Sequence, residues 1–378
     1  MRDILQLTQE LIRCPSVTPV DAGALSVVEQ ALQPLGFSCH RLTFGQGSDQ
    51  IDNLWAYRPG RGKHIAFAGH TDVVPAGQTH AWRYPPFEGR IENGVLYGRG
   101  AVDMKGAIAA FIAAIRELVD QEAMICPVSF FITGDEEGPA LYGTKKLLEW
   151  VKEKNLLPDY CLVGEPTSDK KIGDTLKIGR RGSLNIILKE KGTQGHVAYA
   201  EKADNPIPRF LKCLLSLQHY TLDSGHPYFP PSHLEITSID VGNQAFNVIP
   251  AEISASFNIR FNAHHMGQQL IHWVESQAQT YLKHYSLVPS LSGEAFYCPD
   301  QNFIKLVQKA VQEVTGLIPS PQTTGGTSDA RFIYPYCPVL EMGLCHGLAH
   351  HVDEAVSLTD LYTLTHIYKN ILHYFSTP

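Results

Sequence analysis

The sequence has no low-complexity tract, no long basic run and no repeat with a period of about 20–50 residues. Acidic residues outnumber basic residues by 38 to 31, which gives a formal net charge of -7. A chain with this charge and no long basic run is not expected to have nucleic acid or an anionic membrane as its main partner. These absences argue against both partners and favour a protein that acts on small molecules.

Cysteine is present but follows no pattern. The eight cysteines include no Cys-x-x-Cys pair, and several lie within apolar stretches. We therefore expect reduced cysteines in the protein core and assign none of them a role. Residues 1–13 combine charged residues with apolar residues at helical spacing, which predicts an amphipathic helix and neither a signal peptide nor a membrane span. The expected location is the cytoplasm.

Several catalytic motifs are also missing. There is no Gly-x-Ser-x-Gly elbow, which argues against a serine hydrolase. There is no Gly-Lys-Ser/Thr sequence, and the glycines near residue 98 lack the third glycine of a dinucleotide loop, so nucleotide binding has no support. His-Glu-x-x-His is absent as well, which excludes the metalloprotease helix that carries it.

The chain does carry the pattern of an α/β protein. Its 378 residues exceed what one small core needs, so we expect two domains. Short apolar runs alternate with helical patterns, which predicts a catalytic domain with a mostly parallel central sheet flanked by helices. Buried strands are predicted at residues 65–68, 128–132, 160–163 and 339–342.

Between about residues 177 and 292 the pattern changes to alternating strands with two helical stretches. Strands are predicted at 184–188, 234–241 and 253–261, and helices at 207–217 and 267–282. This pattern indicates an inserted α+β domain of the ferredoxin-like type. The predicted boundaries are 1–178 and 293–378 for the catalytic domain and 179–292 for the insertion.

Polar ionisable residues follow the predicted strands, at the edge where open α/β sheets build their sites. His70 and Asp72 come after the first of these strands, and their i, i+2 spacing in an extended segment puts both side chains on one side. A carboxylate so placed can fix the tautomer of a metal-bound imidazole. The alternative is a surface histidine in a loop.

Carboxylates recur at three further places. Asp103 precedes a predicted helix at residues 107–118, where an aspartate is often only an N-cap. Three adjacent carboxylates, at residues 135–137, occupy a glycine-flanked turn, and such crowding requires either full solvation or a nearby cation. Glu165 follows another strand, as does a fifth candidate, His350.

Together these places supply two histidines and three carboxylates, with Asp103 able to bridge. This donor set suits a pair of zinc-like ions, because structural zinc is normally held by cysteine. A hydrolytic metal pair lowers the pKa of water so that it can attack at neutral pH. The other glutamate of the pair Glu136 and Glu137 would then be free to take the proton of that water.

The segments 70–75, 96–106, 133–138 and 164–167 resemble the metal-site motifs of the aminoacylase and acetylornithine deacetylase family of co-catalytic zinc metallohydrolases. The resemblance implies two Zn²⁺ per subunit, with Co²⁺ able to substitute. It implies one ion on His70, Asp103 and Glu165 and the other on Asp103, Glu137 and His350. It further implies that Glu136 is the general base, that Asp72 orients His70 and that the peptide Asp103-Met104 is cis.

One ligand has a neighbour of the same type. The final motif contains consecutive histidines, His350 and His351. Alignment to the acidic pair Asp353 and Glu354 selects His350, because the family places its ligand three residues before the acidic or amide residue of that motif. His351 is the alternative.

The inserted segments 179–184, 195–199, 204–206 and 247–252, together with residues 325–332, resemble the desuccinylase branch of the same family. The implied reaction is removal of succinate from a diamino diacid in lysine and diaminopimelate biosynthesis. The implied substrate contacts are Arg180, His196, Tyr199, Asn247, Arg260, Gly326, Thr327 and Ser328. Arginine offers a bidentate fork for carboxylates, and a glycine-rich loop with hydroxyls can cradle an anion.

Other interpretations of these segments stay open. Paired arginines on a strand are often a solvated face, and Gly-Gly-Thr-Ser is often a turn. Ala330 and Phe246 depart from the residues usual at those positions. The alternative activity is deacetylation of acetylornithine or of a related N-acyl amino acid. A non-enzymatic binding protein on the same scaffold would be favoured by loss of Glu136 or a ligand, and all of them are present.

The resemblance also implies a homodimer formed through the inserted domain. His196 would then lie over the metals of the partner subunit and stabilise the oxyanion of the tetrahedral intermediate. The alternative is that His196 packs within its own subunit.

Overall fold

A computed structural model describes residues 3–123 and 125–376. The chain forms two compact units. The first comprises Met1–Gly179, Cys298–Gln322 and Ser328–Pro378, and the second comprises Arg180–Tyr297 and Thr323–Thr327. The predicted boundaries gave all of 293–378 to the catalytic domain, whereas residues 293–297 and 323–327 belong to the compact unit of the insertion.

The predicted N-terminal helix begins at Ile4, and its first two predicted residues lie outside the described chain. In chain order the helices are α1 Ile4–Ile12, α2 Ala24–Leu32, α3 Lys105–Asp120, α4 Thr144–Glu153, α5 Ile207–Gln218, α6 Gly267–Tyr281, α7 Gln301–Thr315, α8 Ala330–Ile333 and α9 Leu358–Ser376. Within the described ranges, none of these helices is both long enough and apolar enough to span a membrane.

The strands fall into a long first series and a second series around the insertion. The first series is β1 Ser38–Phe44, β2 Ile51–Arg58, β3 Ile65–His70, β4 Arg90–Glu92, β5 Val95–Tyr97, β6 Val128–Thr133, β7 Tyr160–Val163, β8 Thr175–Lys177 and β9 Gly179–Arg180. The second series is β10 Gly182–Lys191, β11 Gly195–His196, β12 His233–Asp240, β13 Val248–Ile249, β14 Glu252–Phe261, β15 Tyr285–Gly293, β16 Phe296–Tyr297, β17 Ser320–Gln322, β18 Val339–Glu341 and β19 Ala355–Ser357.

In the part of the first unit that the structure describes, eight strands form one sheet in the order β1-β2-β6-β3-β7-β18-β8-β17. The run β6-β3-β7-β18 is parallel, whereas β1 and β2 are antiparallel to their neighbours. Every residue of β3 and β6 is buried, as expected for parallel strands covered on both faces. The predicted mostly parallel sheet is confirmed.

Helix α3 is the central cover of this sheet. It packs against α1 and α9, and alanines at five of its buried positions allow close approach. Phe111 of α3 stacks on Phe67 of β3, with ring centroids 4.4 Å apart. Helix α3, which begins two residues after Asp103, is therefore fixed to the sheet by core packing.

The second unit is built from residues that the structure describes throughout. Four antiparallel strands lie in the order β12-β14-β10-β15. Buried and exposed residues alternate along β10 and β14, and the buried face packs against α5 and α6. The element order strand, helix, two strands, helix, strand is that of a ferredoxin-like α+β fold, as predicted for the insertion.

Strand β15 is the element of this sheet that the sequence pattern did not predict. It contains Pro289 at its centre, and most of its residues are exposed. Proline has no N–H to donate to a ladder, so it is tolerated on an edge strand. Strand β15 pairs only with β10 in this sheet and is therefore an edge strand.

A half-buried carboxylate fixes the loop between α5 and β12. Asp223 accepts hydrogen bonds from the backbone N–H groups of Gly225 and Ser232, and from the side chains of Asn262 and His265. Burial alone would raise the pKa of Asp223, but these hydrogen bonds outweigh it and hold the pKa well below its usual range.

We predict that Asp223→Asn destabilises the protein by about 1–3 kcal/mol at pH 7, because an amide nitrogen would face donors that now have an acceptor. A lowered folded-state pKa contributes stability that is present above the unfolded pKa of about 3.9 and is lost as pH falls through the folded value. The difference in urea midpoint between the wild type and Asp223→Asn should therefore shrink below about pH 4. An unchanged difference at pH 3 would contradict this account; the exposed Glu235→Gln is the control.

Candidate metal centre and active site

The carboxyl ends of the parallel strands bring the predicted ligands to one edge of the sheet. His70 ends β3, the acidic turn at 135–137 follows β6, and Glu165 follows β7. Asp103 precedes α3, and His350 lies in the loop between β18 and β19. Because these strands are neighbours, residues far apart in the chain converge here.

Asp103 lies between the two histidines. Its Oδ1 is 3.2 Å from Nε2 of His70, and its Oδ2 is 3.2 Å from Nε2 of His350. The N-cap of α3 is Met104, without a side-chain cap, so Asp103 is not simply a helix cap. The peptide Asp103-Met104 is cis, as the resemblance implied.

Each histidine has a second carboxylate beside it. Glu165 Oε1 is 3.5 Å from His70 Nε2, and Glu137 Oε1 is 2.7 Å from His350 Nε2. Among the described residues, three groups of donor atoms each lie within 4.8 Å of one another: His70, Asp103 and Glu165; Asp103, Glu137 and His350; and His70, Glu136 and Glu137. The first two groups are the ligand sets that the resemblance implied.

The positions of the two consecutive histidines show which of them lies among the candidate ligands. His350 points its Nε2 at Glu137 and Asp103, with a backbone φ of 63°. The ring of His351 joins neither ligand set. The structure thus places His350 at the site.

The predicted contact between the Asp72 carboxylate and His70 is replaced by another arrangement. His70 Nδ1 donates to the backbone carbonyl of Asp72 at 2.8 Å, whereas Oδ1 of that residue is 3.6 Å away. The Asp72 carboxylate instead accepts the hydroxyl of Thr18 and the N–H groups of Glu136 and Glu137. Asp72 therefore orients His70 through its main chain and holds the acidic turn with its side chain.

Backbone N–H groups also bind Asp135, the first carboxylate of the acidic turn. It is buried and accepts the N–H groups of residues 140–142. The turn is thus a fixed structure and not a solvated acidic loop. Its rigidity determines where Glu136 and Glu137 point.

The Glu136 carboxyl is 13% exposed, and Oε2 lies 4.0 Å from His70 Nε2. Within the described residues it is the member of the turn whose side chain accepts no hydrogen bond. Burial and the charge of Glu165 raise the pKa of Glu136 well above its usual value. A raised pKa makes the ionised carboxylate a stronger proton acceptor, which suits a general base.

The other pKa shifts show that the site needs positive charge. Burial alone would raise the pKa of Asp103, but hydrogen bonds from His350 and His70 hold it below its usual range. Hydrogen bonds to Asp103 and Glu137 raise the pKa of His350 to about 10. Protonated imidazoles here occupy the place where cations would neutralise the carboxylates, so the donor set fits a pair of divalent ions.

Three of the predicted substrate contacts form an exposed group in the second unit. His196 lies on β11, which pairs with β13, and Asn247 directly precedes β13. The rings of His196 and Tyr199 have centroids 5.9 Å apart. All three side chains are exposed, and so are the apolar neighbours Val197 and Phe246. His196 is therefore not packed within its own subunit.

The arginines of the second unit differ from one another in their surroundings. Arg180 is buried, and its guanidinium donates to the carbonyl of Gly326 at 3.2 Å, with Thr327 next to it in the chain. Arg181, which was not predicted, has a buried Nε with no hydrogen-bond partner in the described residues. Burial and the positive charge of Arg260 lower the pKa of Arg181. Two uncompensated arginines thus lie together near the ends of β10 and β14.

Ser328, the last of the predicted substrate contacts, differs from the others in its surroundings. It is buried in the first unit, and its hydroxyl donates to Glu341 Oε1 at 2.6 Å. The buried carboxylate of Glu341 requires a donor, which explains why this hydroxyl points into the protein. The hydroxyl is therefore occupied by Glu341 and is not available as a donor to a substrate.

Comparison with known proteins shows the family to which the chain belongs. The model of peptidase family M20/M25/M40 matches residues 66–374. A succinyl-diaminopimelate desuccinylase of Rhizorhabdus wittichii is 51% identical over 373 residues, 98% of each chain. The solved fold of an M20 family metallo-carboxypeptidase from Sulfolobus solfataricus covers 100% of both chains at 18% identity, with a TM-score of 0.79. A dinuclear metal-binding M20 peptidase from Bacillus subtilis covers 98% and 97% at 16% identity, with a TM-score of 0.70.

We predict different effects for the two adjacent glutamates. Glu136→Gln should keep both metals and lose about 10²–10⁴-fold in kcat, because the change removes a general base. Glu137→Gln should lose about one metal per chain, because it removes a ligand from one set of three. Atomic emission after dialysis, together with steady-state kinetics, measures both. Metal loss in Glu136→Gln with near-normal activity on resupply would mean that the two roles are exchanged.

Proposed function

The chain belongs to peptidase family M20/M25/M40 and is a metal-dependent amidohydrolase, and we propose that it cleaves N-succinyl-L,L-2,6-diaminopimelate with water to give succinate and L,L-diaminopimelate. This reaction belongs to diaminopimelate and lysine biosynthesis, and we place it in the cytoplasm. The observation that carries the proposed chemistry is the position of Asp103, whose two carboxylate oxygens each face a histidine with its own second carboxylate.

We assign the ligand sets as predicted, with His70, Asp103 and Glu165 for one ion and Asp103, Glu137 and His350 for the other. Zinc is the proposed metal and Co²⁺ the proposed substitute, because imidazole and carboxylate ligands with cysteine absent suit a hydrolytic zinc pair. When bound, the two ions would supply Lewis-acid activation of water and of the amide carbonyl.

The protein's own part in the reaction is proton transfer and positioning. Glu136 takes a proton from the attacking water and returns it to the nitrogen of the departing amine, so that the amide C–N bond breaks as a neutral amine leaves. Asp72 holds the acidic turn through the N–H groups of Glu136 and Glu137, which keeps the base separate from the ligand. The geometry of the acidic turn therefore lets Glu136 act as the base while the adjacent Glu137 acts as a metal ligand.

The succinyl group is favoured over the acetyl group by two observations. The similar protein from Rhizorhabdus wittichii is a desuccinylase. Succinate carries a carboxylate that acetate lacks, and Arg181 and Arg260 provide positive charge without a carboxylate partner in the described residues. Arg180, Gly326 and Thr327 contribute to the same proposal as a neighbouring backbone and guanidinium surface.

We predict that the wild type hydrolyses N-succinyl-L,L-diaminopimelate in preference to N-acetylornithine, and that Arg260→Ala raises KM for the succinyl substrate. The loss of a hydrogen bond between charged groups corresponds to about 1.5–3 kcal/mol. Lys189→Ala, an exposed change on β10, is the control. A preference for the acetyl compound would overturn the substrate assignment, and an unchanged KM and preference in Arg260→Ala would remove this arginine from the site.

We further propose a homodimer in which His196 stabilises the oxyanion of the tetrahedral intermediate in the active site of the partner subunit. An exposed imidazole beside exposed Val197, Tyr199 and Phe246 suits a surface that another subunit covers. An oxyanion donor of this kind contributes about 3–4 kcal/mol. Asn247 and Tyr199, which lie beside His196, would contact the same substrate.

A subunit-mixing experiment tests this arrangement. Homodimers of His196→Ala and of Glu136→Ala should each be nearly inactive. After co-refolding at equal amounts, about one quarter of all sites should contain both residues intact, because half of the dimers are mixed and each has one complete site. Recovery toward that level is the expected result. Mixed dimers that form and stay inactive would show that His196 does not act in trans.

A further inference from the structure

Two buried charged residues, Arg99 and Glu354, have no part in the proposed chemistry but contact the backbone of proposed metal ligands. Glu354 is 0% exposed and Arg99 is 2% exposed. The Arg99 guanidinium donates to Glu354 Oε2 at 2.7 Å. A buried ion pair is weak evidence for stability, so its other contacts decide what it does.

The Glu354 carboxylate fixes the segment that carries Asp103. Its Oε1 accepts the N–H groups of Val102 at 2.9 Å and of Asp103 at 3.1 Å, and its Oε2 accepts the N–H of Gly100 at 3.0 Å. Gly100 has φ 85°, a conformation that favours glycine and lets its N–H point at the carboxylate. Three backbone N–H groups within residues 100–103 are thereby bound by one carboxylate.

The Arg99 guanidinium fixes the segment that carries His350. It donates to the carbonyl of His350 at 3.3 Å and to the carbonyl of His351 at 3.3 Å. It also donates to the carbonyl of Pro75, and its guanidinium carbon lies 5.1 Å from the ring centroid of Trp82. The loop of residues 346–354 contains no helix or strand longer than a single 3-10 turn, so these contacts replace regular structure.

The pair of Arg99 and Glu354 therefore joins two segments, and each segment contains one of the proposed metal ligands. Glu354 bonds the main chain of Asp103 itself, and Arg99 bonds the main chain of His350 itself. The other proposed ligands are positioned differently, because His70 ends β3 and Glu165 follows β7 directly.

We infer that Arg99 and Glu354 are positioning residues for the ion held by Asp103, Glu137 and His350, and that they set the distance between Asp103 and His350. This inference rests on the proposed di-metal function. The ion held by His70, Asp103 and Glu165 depends on them less, since two of its three ligands are fixed by strands. Partners of metal ligands typically change metal affinity by about 10–100-fold when removed.

Calorimetric titration of the metal-free full-length chain with Zn²⁺ tests the inference. Glu137→Gln and Glu165→Gln first assign the two binding events to the two ligand sets. Glu354→Gln should then weaken the event assigned to Glu137 by about 10–100-fold and change the other by less than about threefold. The reason is that a Gln amide puts a donor where one carboxylate oxygen now accepts from Arg99 and Gly100.

Arg99→Lys is the second variant in case Glu354→Gln does not fold. Lysine keeps the charge opposite Glu354, but a single ammonium group cannot also reach the carbonyls of His350 and His351. The same binding event should weaken selectively. Ser376→Ala is the control for general destabilisation, because Ser376 is buried, bonds Cys126 and Leu372 and is in neither ligand set.

Each outcome has one meaning. Selective weakening in Glu354→Gln or Arg99→Lys, with two normal events in Ser376→Ala, supports the positioning role. Equal weakening of both events, or normal binding with only a lower Tm, overturns it. A wild type that binds fewer than two Zn²⁺ would instead contradict the proposed function, so the two failures are distinguishable.

Discussion

The arrangement of the whole first unit depends on one electrostatic constraint, which is the need to hold several carboxylates against each other around Asp103. Like charges at such distances raise one another's pKa unless cations compensate. In the structure, two histidines meet this need, and the pKa of His350 is raised to about 10 as a result. Metal ions would meet it better, because each would replace a proton with two positive charges.

Backbone N–H groups hold the carboxylates that are not themselves ligands. Asp72 accepts from the acidic turn, Asp135 accepts from the loop after it, and Glu354 accepts from the segment before Asp103. None of these three can move without breaking several hydrogen bonds at once. Such a rigid frame lets Glu136 and Glu137, which are adjacent in sequence, carry different roles.

Much of this could be predicted from the sequence, since the deciding signals are local. Full apolar runs identified β3, β6, β7 and β18, and the position of polar residues after them indicated the edge where the ligands meet. The motif resemblance supplied the pairing of ligands, and the structure brings His350 and not His351 into it. Family comparison confirms that resemblance.

The remaining features depend on contacts between distant residues, which spacing does not reveal. The Asp72 carboxylate binds Thr18 and the acidic turn in place of His70. The Ser328 hydroxyl donates to the buried carboxylate of Glu341. Arg181 gave no signal apart from its neighbour Arg180, since burial and the charge of Arg260 distinguish it only in the fold. Strand β15 was missed because Pro289 argues against a central strand and is tolerated at an edge.

The central claim is that Asp103 joins two ions, each completed by one histidine and one further carboxylate. Anomalous X-ray diffraction from crystals of the zinc-loaded protein measures this most directly. The account predicts two zinc peaks about 3.5–4 Å apart, with one Asp103 oxygen bound to each. His70 and Glu165 should complete the first site, and Glu137 and His350 the second. A single peak at full zinc loading, or a peak bound by Glu136 in place of Glu137, would contradict it.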